Sequence, residues 1–475
     1  MSDDTIKTGG AAAPDAADRL GRDPIGELLI RFSIPAIAGM LVNALYNIVD
    51  RVFVGRGVNE VALGGIALSM PLMNISMAFA MLFGAGAANM ISMRLGQDRR
   101  EEAENTLNHC FVLLFCVSAL FAAACLIFLD PLFSIMGAQE GSLALGYAKD
   151  YFRIITYGQI FSMVGFGLSH CTRAQGFPKI TMAGMLIGAA MNAILDPIFI
   201  FIFGWGVEGA AWATIISQMC SMIWILHFTL SKKAVIRLNL RSFKPSGAIV
   251  AQMAAFGSSG FLMQLAASVV QFAYNDSAGR YGVQSLGIAN GGDIALSGMN
   301  IVNSIATLIL MPIFGINQGF QPIVGYNYGA GKFDRVKKAY IRAAGAASAI
   351  CILGFILVML SARQIVGLFS PDGSEALLRF TPDAMRVVLI SFPINGFQIV
   401  STNLFVATGR PQTATILSML RQVIVLIPCI LLFGHFWGIN GMVAASPVSD
   451  FASFILTAVL VALELKKLNA RGARL

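Results

Sequence analysis

The sequence predicts an all-α polytopic membrane protein of about twelve transmembrane helices in two six-helix lobes. Three observations carry that expectation. The 475 residues are 56% hydrophobic and 12% charged, with a mean hydropathy of +0.73, a balance foreign to soluble globular proteins. The charges gather in short links between apolar runs long enough to cross a bilayer. The chain also repeats itself at one nearly constant offset.

Taken in order, apolar runs of spanning length fall near 27–54, 61–92, 105–130, 146–171, 178–203 and 207–231. A basic break follows, with Lys232, Lys233, Arg237, Arg241 and Lys244. Further runs fall near 248–275, 285–325, 338–362, 381–408, 411–434 and 438–465. The expected division is a tail over 1–24, a first lobe over 25–231, a basic linker over 232–247, a second lobe over 248–468 and a short tail over 469–475. Residues 1–24 are small, polar and Ala-rich without an apolar h-region, so a disordered tail is expected there and no cleaved signal peptide. The seven cysteines lie in or beside apolar runs with no CxxC pair, which argues against a disulfide framework or a zinc site.

The net charge of +8 does not point to nucleic acid, because alternate loops share it unequally. Arg94, Arg99, Arg100, Arg173, Lys179, the linker cations, Lys332, Arg335, Lys337, Lys338, Arg410, Lys466 and Lys467 collect on one side. That side is expected to be cytoplasmic, with both termini inside.

The repeat is specific. Gly86 pairs with Gly319, Gly96 with Gly329, and Gly176-Phe177-Pro178 with Gly409-Arg410-Pro411, all at a shift of 233. Trp205-Gly206-Val207-Glu208-Gly209 matches Trp437-Gly438-Ile439-Asn440-Gly441 at 232. An even number of helices per copy makes both copies enter the membrane in the same sense, related by an axis along the membrane normal.

Asp196 stands in a long apolar run with no other charge between Lys179 and Glu208. A carboxylate there costs roughly 2.5–3.5 kcal/mol on insertion scales, so it needs a proton, a cation or a partner. Asn192, four residues earlier, shares its helix face. Asn43, Asn47 and Asp50 form a second polar stripe at i, i+4, i+7, and spacing leaves open whether Asp50 is a site acid or an interfacial charge beside Arg51. At the 233 shift, Cys429 and Val425 replace Asp196 and Asn192, so this acid and its amide belong to the first lobe. The second lobe carries Asp293, Arg421 and Asp450. Arg421 lies about 15 Å of helix into its run, which makes Asp293 or Asp450 the expected partner. Read alone, His170 is a packing or hydrogen-bonding residue. Gly329-Ala330-Gly331-Lys332 fails as a phosphate loop, since Tyr326 occupies the earlier glycine position and Phe333 the Ser/Thr position. With no nucleotide site and no catalytic constellation, an enzyme is not expected, and uphill transport would draw on an ion gradient.

Phe32-Ser33-Ile34-Pro35 with Asp50, the loop from Gly96 to Ala103, Arg173-Ala174-Gln175-Gly176, Asn192 to Phe199, Gly209 to Thr214 and Leu420-Arg421-Gln422-Val423 together resemble the multidrug and toxic compound extrusion (MATE) family over about 25–465. They look most like its bacterial branch of DNA-damage-inducible and staphylococcal-type exporters. The resemblance implies a secondary active antiporter with two lobes in a V, exchanging small-molecule drugs or toxins for H⁺ or Na⁺ by alternating access, with no cofactor. The implied setting is the bacterial inner membrane; the protein is expected to be monomeric. Carried over by motif, the coupling set is Asp50, Asn192, Asp196 and Thr214, with a Na⁺ position at Asp50 and Asp196. Asn47 and His170 extend that network, and Pro35 marks a bend of the first helix. A flippase for lipid-linked precursors is the competing reading; it favours a cationic central cavity, against the acidic face of the first lobe.

Overall fold

A computed structural model describes residues 13–58, 60–135, 141–286, 291–369 and 375–472. The first lobe runs α2 (Ile25–Gly57), α3 (Glu60–Ala80), α4 (Gly86–Gly96), α5 (Arg100–Ile127), the short α6 (Leu129–Ile135), α7 (Leu143–Tyr157), α8 (Gln159–Ala174), α9 (Pro178–Pro197) and α10 (Gly206–Leu230), preceded by α1 (Ala13–Arg22). The second lobe runs α11 (Gly247–Leu286), α12 (Gly291–Gly329), α13 (Phe333–Phe369), α14 (Glu375–Leu389), α15 (Phe392–Ala407), α16 (Pro411–Met419) and α17 (Leu426–Gly472). Among the described residues, nine helices are long and apolar enough to span a bilayer, and a tenth span is the bent pair Glu375–Leu389 with Phe392–Ala407. The Pro411–Gly472 segment counts once in that tally, but Gly438 (φ 60°) breaks it into two passes. The pair α7 and α8, hinged at Gly158, supplies the remaining pass of the first lobe. The all-α polytopic expectation therefore holds, with nine or ten spans by length and composition among the described residues.

Three helices widen into π turns: Met81–Ala85 between α3 and α4, Ile198–Ile202 after α9, and Leu420–Val425 between α16 and α17. The second follows Pro197, whose ring lacks the N–H that would close an ordinary turn.

The repeat at 233 has a direct structural counterpart. A Cβ on Gly96 would lie 2.0 Å from Tyr326 O, and a Cβ on Gly329 would lie 2.1 Å from Met93 O. Met93 and Tyr326 are themselves 233 apart, as Gly96 and Gly329 are, so the two contacts are images of each other across a local two-fold axis. Here the ends of α4 and α12 touch backbone to backbone. Nearby, Gly257 on α11 closes on Leu82 O, and Gly319 on α12 closes on Ser33. These interlobe contacts lie toward the end of the molecule that carries the basic loops. Because a β-carbon has no room there, Gly96→Val and Gly329→Val should each destabilise the purified protein by about 1–3 kcal/mol in thermal or denaturant unfolding. Gly64, which faces open space, is the control and should tolerate valine within about 0.5 kcal/mol.

Two segments differ from expectation. Part of the tail expected to be disordered is helical over Ala13–Arg22, with Leu20 buried. The reason is external: its last carbonyls are capped by side chains of the second lobe, partners that no local pattern announces. The basic linker is tied to the first lobe. The backbone of Asn239 pairs with the side-chain amide of Asn108, its carbonyl accepting from Nδ2 at 3.0 Å and its N–H donating to Oδ1 at 2.9 Å. Lys244 does the same with Asn105, at 3.1 and 3.2 Å, and Ser246 N donates to His109 Nε2 at 3.0 Å.

Candidate functional site

Four helices of the first lobe converge on one polar cluster. Helix α9 contributes Asn192 and Asp196, one turn apart, and Asn192 Nδ2 donates to Asp196 Oδ1 at 3.1 Å. Helix α2 contributes Asp50, whose carboxyl lies close enough to Asp196 for the two acids to interact. Helix α10 contributes Thr214. Asn192, Asp196 and Thr214 are 1%, 0% and 3% exposed. The structure thus brings together all four residues of the expected coupling set, with Asp50 beside Asp196.

Sequence reasoning missed two members. Tyr46 on α2 and Tyr151 on α7 both approach Thr214, and both lie in the field of Asp50 and Asp196. Tyr46 had a readable signal: it precedes Asp50 by four residues, on the same helix face. Tyr151 had none, since α7 meets α10 only in the folded bundle.

The chemistry of the cluster follows from its atoms. Two carboxyls face each other in a water-poor setting. Two unit negative charges about 4 Å apart repel by about 4 kcal/mol at an intermediate effective dielectric. Asn192 Oδ1 and Asp196 Oδ2 are buried with no donor among the described residues. The cluster therefore keeps hard oxygen acceptors in reserve. A proton shared by the acids, or a small hard monovalent cation, fits that donor set. A site of three or more His, Cys, Asp or Glu, as a transition metal would favour, does not occur among the described residues.

Other expected residues lie elsewhere. His170 does not join the acids. Its ring packs on Phe166 at 4.4 Å in a small interlobe pocket with Asn89, Ser92, Arg173 and Gln318, and the charge beside it is Arg173. Its place near the end of α8 puts it at the lobe junction. The side chain of Asn47 lies outside the described residues. Pro35 is inside α2, which is helical from Ile25 to Gly57 across it.

In the second lobe, Arg421 Nε donates to Asp450 Oδ1 at 2.7 Å. Asp450 Oδ2 accepts from Ser391 Oγ at 2.6 Å and Asn395 Nδ2 at 3.2 Å. Asp450 is thus the partner of Arg421. Asp293 is not: it sits exposed in the first turn of α12, where water already solvates it.

A bundle of membrane-spanning helices in two related lobes, with a pair of acids brought together in one of them, has the architecture of a membrane transporter. Comparison with known proteins places it more closely. Residues 35–198 and 283–432 match the MatE family, about two thirds of the chain, and the protein belongs to that family. Among similar proteins is the multidrug export protein MepA of Staphylococcus aureus, 26% identical over 424 residues, covering 89% of this chain and 90% of that one. MepA of Staphylococcus haemolyticus is 27% identical over 440 residues, covering 92% and 93%. Among solved structures, a multidrug resistance MATE family transporter of the MOP superfamily in an outward-facing conformation superposes with a TM-score of 0.87 at 25% identity, covering 95% of this chain and 98% of that one. A MATE structure in a bent conformation superposes equally well, with a TM-score of 0.87 at 25% identity over 97% and 100% of the two chains.

Proposed function

We propose that this protein is a multidrug efflux antiporter of a bacterial inner membrane, exporting amphipathic or cationic small molecules in exchange for H⁺ or Na⁺. The observation that carries the reading is the buried contact of Asp50 with Asp196, flanked by Asn192 and Thr214. Its relatives are multidrug exporters, and related MATE structures have been solved in complex with MaL6 and with MaD3S. The flippase alternative draws no support from these relatives or from the acidic face of the first lobe.

The mechanism follows from the electrostatics. With the site empty of cation, the facing acids repel and push α2 away from α9. One proton or one sodium ion relieves the repulsion and lets α2 settle. A drug that prefers the empty state and an ion that prefers the filled state exclude each other, which is the thermodynamic requirement of exchange. The lobes meet at the end bearing the basic loops, read as the cytoplasmic side by the excess of Lys and Arg, so this conformation opens outward. In lowering export, Asn192→Leu should act on ion affinity: removing one hydrogen-bonding partner of a charged group costs about 1.5–3 kcal/mol, roughly a tenfold or larger rise in the ion concentration giving half-maximal transport. Dye efflux from proteoliposomes, measured under a pH gradient and under a sodium gradient in turn, tests the proposal and identifies the ion. Efflux indifferent to both gradients would contradict it.

A further inference from the structure

We infer that α1 is a strap fastening the two lobes at their basic end, which must release before that end opens. The helix is covalently part of the first lobe, joined to α2 through Asp23 and Pro24. Ala16 O also packs on Gly176 of that lobe, 2.9 Å from where its Cβ would be. Its C-terminal carbonyls, however, are held by the second lobe. Asn327 Nδ2 donates to Leu20 O at 2.9 Å, and Arg335 Nη2 reaches the same oxygen at 3.1 Å. Lys332 Nζ donates to Gly21 O at 2.9 Å, and Arg335 Nη2 to Asp23 O at 2.6 Å. Tyr326 OH donates to Asp18 Oδ1 at 3.3 Å.

The chemistry suits a helix terminus. The last turn of any helix leaves carbonyls without intrahelical partners and carries partial negative charge. An amide, an ammonium and a guanidinium from the second lobe answer both needs. Arg335 is itself aimed, since its Nε donates to Asn327 Oδ1 at 2.8 Å. Apolar packing adds to the hold: Ala17 and Leu20 are buried in one cluster with Leu95 of the first lobe and Ile323 of the second.

The geometry then forces a choice. The strap crosses the junction where Gly96 meets Tyr326 and Gly329 meets Met93. When those backbones part, α1 can follow one lobe only. The link through Asp23 and Pro24 spans three Cα–Cα steps and reaches at most about 11 Å, too short for α1 to stay on α12 while α2 swings away. Opening therefore breaks the five hydrogen bonds from Tyr326, Asn327, Lys332 and Arg335. The sequence pattern is consistent with this role, because an Ala-rich ten-residue helix is marginal alone and can release without a large penalty.

This inference rests on the alternating-access reading, and its test separates the two. Spin labels at exposed Lys179 and Lys338, in a chain whose native cysteines are replaced, report the distance between lobes at the basic end. Removing residues 2–22, or substituting Arg335→Gln in the full chain, should raise the widely separated population by about fivefold or more, a change of roughly 1 kcal/mol. Arg335→Gln should add nothing further to the truncated chain, which distinguishes a lost strap from a general loss of stability. An unchanged distance distribution in the truncated chain, or fully additive effects, would overturn the strap. The response of the same distance to pH or sodium reports on the coupling site instead: if that response is absent while truncation still widens the distance, the coupling proposal fails and the strap stands.

Discussion

Asp196→Asn should abolish ion-driven drug export while leaving the protein folded. The substitution keeps the side-chain shape and removes the charge. Without it, an ion no longer discriminates between the two states, and the coupling free energy of about 1–3 kcal/mol, a 5–150-fold effect, vanishes. In proteoliposomes the variant should show dye movement at the rate of protein-free vesicles under either gradient. Its thermal unfolding should fall at or above that of the wild type, because a facing pair of like charges has been relieved. Tyr46→Phe and Tyr151→Phe should have smaller effects, since the acids remain. Loss of stability together with export in Asp196→Asn would point to a structural acid.

The largest expected effect on stability lies in the other lobe. Asp450 takes three side-chain hydrogen bonds, from Arg421, Ser391 and Asn395, and is 4% exposed. Asp450→Ala would leave the Arg421 cation and two further donors without their acceptor. Breaking one side of a buried ion pair costs about 3–5 kcal/mol, so the variant should unfold far earlier or fail to accumulate in membranes. Replacing both charges, Arg421→Met with Asp450→Leu, should recover much of that loss, as apolar substitution of whole buried pairs often does. Recovery of stability without loss of gradient-driven export would assign the pair to architecture; loss of export in a stable double variant would assign it to transport.

Much of the fold was legible because bilayers impose long apolar runs and because duplication leaves matching marks. Gly96 and Gly329, picked out by their offset alone, proved to be mirror positions of one backbone contact. The polar cluster of the first lobe was legible for the same kind of reason. A carboxylate in an apolar run advertises itself, and Asn192 sits one helical turn from Asp196. What stayed hidden depends on partners far away in the chain. The helix at Ala13–Arg22 owes its end to Asn327, Lys332 and Arg335, more than three hundred residues on. Arg421 had two acids of equal promise in the sequence, and only the packing of α17 against the Leu420–Val425 turn selects Asp450 over the exposed Asp293. His170 occupied a family position whose neighbours could not be read from spacing; the fold turns it toward Arg173 and the lobe junction. Tyr151 joins Thr214 across a helix interface that no periodicity encodes.

The account turns on whether neutralising the Asp50–Asp196 pair and binding drug are mutually exclusive. The most direct measurement is ion release: purified protein in weakly buffered detergent, loaded with protons or sodium, is titrated with a lipophilic cation such as ethidium while the freed ion is recorded. The wild type should release ion in proportion to ethidium bound, and a variant with both Asp50→Asn and Asp196→Asn should bind ethidium with no release. Equal ion release from the wild type and that variant would contradict the account.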